Sequence, residues 1–208
     1  MKTVVIDSDD LSFAVDVIRR GGLVGVPTDT VYGLAGNGLD VGAVEKIYEV
    51  KGRPAVKALI LLVADIGVAE SLCDGFPESA RRLADAFWPG SLSLVLRKGA
   101  VVPDIVTAGG DTVGVRCPDH PKALELMRLA GVPLAAPSAN ISGMPSPKSA
   151  AEVLHYFDGM IDCVIDGGVC KTGVESTIVD LATESPRILR QGALPEDAIW
   201  RVLEGCGG

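Results

Sequence analysis

The feature that most limits the possible folds is a series of short apolar runs, separated by segments with helical character. Leu23–Val26, Leu59–Val63 and Leu92–Leu96 are each long enough for a buried strand and too short for a buried helix. The intervening segments Val41–Val50 and Pro77–Phe87 read as helices. Because these units do not follow a strict strand–helix–strand rhythm, we predict an α/β fold: a twisted, open, mixed β-sheet with helices on its faces.

The length and composition of the chain favour one globular unit. Neither a low-complexity linker nor an internal repeat divides its 208 residues, so we predict a single domain over residues 1–208. No apolar run approaches the roughly 18 residues that span a bilayer, and no membrane contact is expected. Met1–Asp7 is strand-like and lacks the apolar core of a signal peptide, which predicts a cytoplasmic protein. The last predicted helix ends near Leu203, and Gly205–Gly208 is expected to be a frayed tail.

Polar residues follow the first buried strand and the helix after it. Leu23–Val26 ends in Pro27–Thr30, where the proline cannot continue a strand ladder and two hydroxyls follow. Val41–Val50 ends in the basic segment Lys51–Pro54. In open α/β sheets, ligands bind at the carboxyl ends of strands. We therefore expect half of an anion-binding site at this point of the chain.

The same arrangement of hydroxyls and cations recurs further along the sequence. Each set alone has an ordinary explanation as a turn, a loop or a helix end. Together they predict a pocket for a polyanion, suited to phosphoryl or nucleotidyl transfer without a protein nucleophile. The sets are Thr28 and Thr30; Lys51 and Arg53; Thr112 and Arg116; Ser138 and Asn140 with Ser142 and Ser146; and Ser176 and Thr177 with Arg190.

Several other classes of function find little support in the residues. The five cysteines are scattered without a CxxC pair, and only His120 and His155 could join them. We therefore predict neither a disulfide framework nor a metal site built from protein ligands. No G-x-S-x-G, H-E-x-x-H or P-loop motif is present. A net charge of −8 argues against a broad nucleic-acid-binding face, so strong direct nucleic-acid binding is not expected.

Three motifs make the chain resemble a known family. Pro27–Leu34, Lys51–Pro54 and Pro137–Asn140 are similar to those of the YrdC/TsaC family of threonylcarbamoyl-AMP synthases. The matching motifs occur in order from about residue 20 to residue 194, and the chain resembles the short, single-domain form. Further similar segments are Phe87–Gly90, Val113–Pro118, Glu175–Thr177 and Leu189–Gly192.

The resemblance implies a YrdC-like fold around a positively charged cavity. It also implies a nucleotidyltransferase that forms threonylcarbamoyl-AMP and pyrophosphate from L-threonine, bicarbonate or CO2, and ATP. The product would serve threonylcarbamoyladenosine modification of tRNA through separate transfer proteins. Mg²⁺ would be held mainly by phosphate oxygens and water, because few carboxylates lie in these motifs.

The resemblance also implies roles for individual residues. Lys51 and Arg53 would be catalytic, and threonine would be bound by Thr28, Arg116 and Ser176, with Arg116 pairing with its carboxylate. Two positions depart from some relatives, because Leu62 stands where they have histidine and Ala136 where they have threonine. The residues that would hold ATP are Lys51, Arg53, Thr112, Ser138, Asn140, Ser146 and Arg190.

Two other functions remain open at this point. YrdC-like proteins include members proposed to bind RNA or to act in ribosome assembly, and a local positive cavity could hold a phosphate backbone. Similar domains also occur within hydrogenase-maturation carbamoyltransferases. The acidic balance of the chain argues against the first alternative, and the absence of fused modules argues against the second.

Overall fold

The computed structural model describes residues 2–7 and 9–205, and within them ten strands form one sheet flanked by seven helices. The strands are β1 Val4–Asp7, β2 Val24–Val26, β3 Gly33–Asn37, β4 Ile60–Leu62, β5 Leu92–Arg97, β6 Thr112–Arg116, β7 Leu134–Ala135, β8 Cys163–Asp166, β9 Thr177–Asp180 and β10 Arg187–Arg190. The helices are α1 Ser12–Arg19, α2 Val41–Lys51, α3 Ile66–Ser71, α4 Glu78–Phe87, α5 Pro121–Ala130, α6 Ala150–Phe157 and α7 Glu196–Glu204.

The sheet is mixed, as predicted. Its strand order is β1-β8-β2-β3-β7-β4-β6-β5-β9-β10. β8 pairs in parallel with both β1 and β2, β4 pairs in parallel with β6, and β5 pairs in parallel with β9. The other neighbouring strands are antiparallel. Antiparallel neighbours place the amino end of one strand beside the carboxyl end of the next.

Local sequence signals set the ends of several elements. Asp40 caps α2, because its carboxylate accepts a hydrogen bond from the Gly42 N–H at 2.9 Å. Gly52 ends the same helix at a φ of +58°, in the left-handed region that favours glycine. This end places Lys51 and Arg53 on either side of a sharp change in chain direction.

The strand β3 is not predicted by its local sequence. Gly33–Asn37 has little strand propensity, with three polar or glycine residues among its five, yet it forms β3. It pairs with β2 on one side and with β7 on the other. Tertiary pairing therefore overrides local preference, and it brings the segment after β2 beside the segment after β7.

Apolar residues on the two faces of the sheet build two separate cores. Leu34 of β3 packs with Ile47 of α2 on one face. The next residue, Ala35, packs with Ile18 of α1 and Leu126 of α5 on the other face. Helices therefore cover both faces, as predicted.

The expectations for membrane spans, cysteines and the C-terminal tail can be compared with the described residues only. No helix in the described part of the chain is long and apolar enough to cross a membrane. Four cysteines are free thiols, whereas Cys206 lies outside the described residues. The predicted tail also lies outside them beyond Gly205.

Candidate active site

A cavity opens where several strand ends meet, and its volume is about 610 Å³ including the solvent in its open mouth. Its lining combines hydroxyl groups, arginines and apolar side chains, with one carboxylate among the described residues. The lining residues are Thr28, Thr30, Val31, Tyr32, Gly33, Arg53, Ile60, Leu62, Ser93, Arg116, Ala136, Pro137, Ser138, Glu175, Ser176 and Arg190.

Six of the ten residues predicted for the site line this one cavity: Thr28, Arg53, Arg116, Ser138, Ser176 and Arg190. Lys51, Asn140 and Ser146 do not line it but contact residues that do. Thr112 lies at the opposite end of β6 from Arg116, where it pairs with Arg97 of β5. The fold thus brings nine of the ten residues to one place.

The carboxyl ends of strands supply only part of the site. Arg116 and Arg190 do end β6 and β10, but Ser93 and Ser176 lie at the amino ends of β5 and β9. The reason is that β5 is antiparallel to β6, and β9 is antiparallel to β10. Both kinds of strand end therefore meet at the cavity.

Lys51 lies behind the cavity wall, with only 2% of its surface exposed. Its Nζ donates hydrogen bonds to the backbone oxygens of Ser138 and Asn140, each at 2.5 Å. Burial lowers the pKa of Lys51 to about 8; the positive charge of Arg53 acts in the same direction, and Glu175 opposes it. The lysine therefore fixes the Ser138–Asn140 segment from behind.

The Ser138–Asn140 segment is also held by its own side chains. The Ser138 hydroxyl donates to Asn140 Oδ1 at 2.6 Å. The Asn140 amide nitrogen donates to the backbone oxygens of Ile141 and Met144, at 2.9 and 2.6 Å. Asn140 thus shapes the loop, while Ser138 faces the cavity.

Arg53 lines the cavity and closes the loop that follows it. Its Nε donates to the Lys57 oxygen at 3.0 Å, and its Nη2 donates to the Ala58 oxygen at 2.7 Å. Burial lowers the pKa of Arg53, opposed by Tyr48 and Glu175. The guanidinium has five N–H donors, so these two contacts leave donors for a ligand.

Arg116 forms a buried ion pair at the cavity wall. Its Nη2 donates to Asp29 Oδ1 at 2.5 Å, its Nη1 to Thr30 Oγ1 at 2.8 Å, and its Nε to the Gly90 oxygen at 2.9 Å. Burial lowers the pKa of Arg116, and the negative charge of Asp29 opposes this effect. The neighbouring Thr28 hydroxyl donates to the Val31 oxygen at 2.7 Å.

Arg190 forms a second ion pair, which is more exposed. Its Nη1 contacts the Glu175 carboxylate, and its Nε and Nη2 donate to the Ser176 oxygen at 3.1 and 2.9 Å. The Ser146 hydroxyl donates to the other oxygen of Glu175 at 2.9 Å. The hydroxyls of Ser176 and Ser93 are 2.8 Å apart. Glu175 thus occupies Arg190 and Ser146, two of the residues that were predicted to hold ATP.

An apolar wall lies next to these polar groups. Val31, Ile60, Leu62 and Ala136 all line the cavity. The two positions that depart from some relatives therefore do face the site. Leu62 is the register partner of Arg116 across the parallel pair β4–β6, so this apolar side chain lies beside the arginine.

Three polar residues of the site were not predicted from the sequence. Asp29 lies inside the segment chosen for its two threonines, and Glu175 directly precedes the chosen Ser176. Ser93 interrupts an apolar run, and a serine in a buried strand is the signal that could have identified it. The two carboxylates carried no separate signal, because acidic residues are common in loops.

The charges of the site favour an anionic ligand. Lys51, Arg53, Arg116 and Arg190 are only partly balanced by Asp29 and Glu175. Among the described residues, no group of three or more His, Cys, Asp or Glu side chains could hold a metal ion. The arrangement can bind a polyanion beside a smaller carboxylate through the remaining N–H donors of its arginines.

Comparison with known proteins identifies relatives over most of the chain. The family model Sua5_yciO_yrdC, described as "Telomere recombination", matches residues 16–192. The chain is 51% identical over 193 residues to a threonylcarbamoyl-AMP synthase of Pyrococcus abyssi, and 47% identical over 192 residues to one of Bacillus subtilis. These matches cover 93% and 91% of this chain but 57% and 55% of the relatives, so the chain spans little more than half their length.

A solved structure agrees with these sequence matches. The crystal structure of P. abyssi Sua5 complexed with L-threonine is similar to this chain with a TM-score of 0.95 at 49% identity. The similarity covers 97% of this chain and 61% of the Sua5 chain.

Proposed function

Since this chain belongs to the Sua5/YciO/YrdC family, we propose that it is an L-threonylcarbamoyladenylate synthase. It joins L-threonine, bicarbonate or CO2, and ATP to give threonylcarbamoyl-AMP and pyrophosphate. The observation that carries the proposal is the convergence of Arg53, Arg116 and Arg190 with the hydroxyls of Ser138 and Ser176 on one cavity. The names of the relatives at 47–51% identity support the same reaction.

We assign the amino-acid side of the cavity to Thr28, Arg116 and Ser176. A buried arginine beside hydroxyl groups is suited to a carboxylate, because the guanidinium presents its donors in a planar fork. The complex of P. abyssi Sua5 with L-threonine supports this choice of substrate. Arg116 would bind the threonine carboxylate with its remaining donors.

We assign the adjoining part of the cavity to ATP. Arg53, Ser138 and Arg190 would contact the phosphates or ribose directly. Lys51 and Asn140 would act from behind by holding Ser138, and the charge of Lys51 would add to the positive potential. Ser146 would become available when Glu175 releases it. Thr112 lies outside the cavity lining, so we assign it no direct contact with ATP.

The proposed reaction has two steps. The neutral amine of threonine adds to CO2, loses its proton and forms a carbamate with a new N–C bond. A carbamate oxygen then attacks the α-phosphorus of ATP, forming an O–P bond as the bond to pyrophosphate breaks. Lys51, Arg53 and Arg190 would stabilise the negative charge on the phosphates.

Magnesium would enter this site with the nucleotide. Glu175 is the carboxylate that the described part of the chain contributes to the cavity lining, and it is paired with Arg190. This donor set fits a Mg²⁺ ion held mainly by phosphate oxygens and water. The ion would supply further charge neutralisation when bound. We further propose that the product passes to separate proteins that modify tRNA in the cytoplasm.

The direct test is incubation with ATP, bicarbonate and L-threonine, with each substrate omitted in turn, followed by mass-spectrometric detection of the adenylate. Formation that requires all three would support the proposal. Arg53→Ala should lower the rate by about 10²–10³, the cost of losing a donor to transition-state charge. Salt-sensitive RNA binding without threonine-dependent release of pyrophosphate would contradict the proposal.

A further inference from the structure

Asp29 is a buried carboxylate to which the proposed reaction gives no role. Its residue surface is 4% exposed, and its neighbours Thr28 and Thr30 both line the cavity. Asp29 itself does not line the cavity but contacts Arg116, which does. The residue therefore acts on the cavity through the arginine.

Two segments hold the Asp29 carboxylate in place, and a third holds its backbone. Oδ1 accepts hydrogen bonds from Arg116 Nη2 at 2.5 Å and from the Asp119 N–H at 3.1 Å. Oδ2 accepts from the Ser91 hydroxyl at 2.7 Å. The backbone oxygen of Asp29 also accepts from the Thr172 N–H at 3.1 Å. These contacts connect loops that are distant in sequence and leave the carboxylate little freedom to move.

The contacts of Arg116 determine which of its donors can reach a ligand. A guanidinium has five N–H groups. Arg116 uses one each on Nε, Nη1 and Nη2, toward Gly90, Thr30 and Asp29. One N–H then remains on each terminal nitrogen, the number that a bidentate carboxylate requires.

Asp29 also supplies the negative charge that compensates the buried positive charge of Arg116. A buried arginine without a partner is strongly unfavourable, and an arginine that lacks a fixed partner can adopt several rotamers. Asp29 balances the charge and holds one terminal nitrogen, while Thr30 holds the other. The paired groups are thus arranged before any substrate binds.

We propose that Asp29 is a positioning residue that orients Arg116 to receive the carboxylate of the amino-acid substrate. The inference deepens the proposed function and rests on it, because the ligand of Arg116 is the proposed threonine. Asp29 would not touch the substrate itself. Its removal should therefore affect amino-acid binding more than nucleotide binding.

The test is isothermal titration calorimetry of the full chain with L-threonine and, separately, with a non-hydrolysable ATP analogue. Asp29→Asn keeps the shape of the side chain and removes its charge. We expect the Kd for threonine to rise about 10- to 100-fold, as a misplaced binding group does, and the Kd for the nucleotide to change less than about twofold. Asp180→Asn is the matched control, since Asp180 is a shielded carboxylate paired with Arg187 outside the cavity lining.

A second variant covers the case in which Asp29→Asn does not fold. Ser91→Ala removes one hydrogen bond from Asp29 and keeps its charge, so the threonine Kd should rise by about threefold. Unchanged threonine affinity in the folded variants, or equal losses for both ligands, would overturn the inference and leave the proposed function intact. A wild-type protein that binds no threonine would overturn the proposed function and this inference together.

Discussion

Two arginine–carboxylate pairs lie at the same cavity but differ in their exposure to solvent. In the pair of Arg116 and Asp29, 7% and 6% of the side chains are exposed. In the pair of Arg190 and Glu175, the values are 38% and 37%. Because the chemical groups are of the same kind, any difference in how the two pairs behave comes from their surroundings.

The comparison separates a fixed pair from an exchangeable one. Breaking a buried pair leaves an uncompensated charge away from water, which is strongly unfavourable. Solvent screens a half-exposed pair, and its partners separate at little cost. We therefore expect the amino-acid side of the cavity to be rigid and preorganised. On the nucleotide side, Arg190 can exchange Glu175 for phosphate oxygens.

Arg116→Ala should have the largest effect, because it leaves Asp29 buried without its cation. We expect the free energy of unfolding to fall by about 3–5 kcal/mol in urea denaturation. Arg190→Ala is the matched change at the half-exposed pair and should cost about 1 kcal/mol. Similar losses for the two variants would remove the distinction between the pairs.

Lys51 is buried like Arg116 but is assigned to the nucleotide side of the cavity. Its replacement therefore tests whether burial alone decides which ligand a variant affects. Lys51→Met should lower kcat/KM for ATP about 10²-fold, because Ser138 loses its support and the site loses a charge. The Kd for threonine should change little. Lys46→Met is the control on the same helix, where Nζ donates to the Gly21 oxygen. A matching loss in that control would show that the effect is not specific to the cavity.

The pH dependence of nucleotide affinity should reveal the charge of Lys51. Its pKa is lowered to about 8, so the folded protein loses this charge between about pH 7 and 9. We expect the Kd for ATP to rise up to about tenfold between pH 7 and 9.5 as the positive charge is lost. Calorimetry across this range should show a much flatter profile for Lys51→Met.

The lowered pKa of Lys51 also predicts how the stability of the folded protein depends on pH. The unfolded chain keeps this proton up to the ordinary pKa of 10.5, and therefore binds more protons than the folded chain between about pH 8 and 10.5. The stability of the wild type, relative to Lys51→Met, should consequently increase with pH in this window. A decrease would mean that the folded protein raises the pKa of Lys51.

Glu175→Gln should have the smallest effect, and it should strengthen ATP binding, whereas Lys51→Met should weaken the use of ATP. The substitution removes the charge that competes with phosphate for Arg190 and Ser146. We expect the Kd for ATP without Mg²⁺ to fall about threefold, the modest value that screening allows. Asp197→Asn, at an exposed pair with Arg201, is the control. Weaker ATP binding by Glu175→Gln would contradict the idea of an exchangeable pair.

The sequence determined the fold class and the family. Short apolar runs predicted the strands, and Asp40 and Gly52 marked the ends of α2, because buried periodicity and helix capping are local properties. β3 was missed because its strand character comes from its two neighbours and not from its own residues. The ordered motifs identified the family because each position of a motif can be read directly.

The tertiary structure decided how the candidate residues divide their tasks. Sequence reasoning grouped Lys51 with Arg53 and named Arg116 and Arg190, but it could not say which of them faces the cavity or which carboxylate each contacts. Asp29 and Arg116 are 87 residues apart in the chain, whereas Glu175 and Arg190 are 15 apart. Burial and ion pairing depend on such distant contacts, and a carboxylate has the same local sequence signal whether it is fixed in a core or free to exchange.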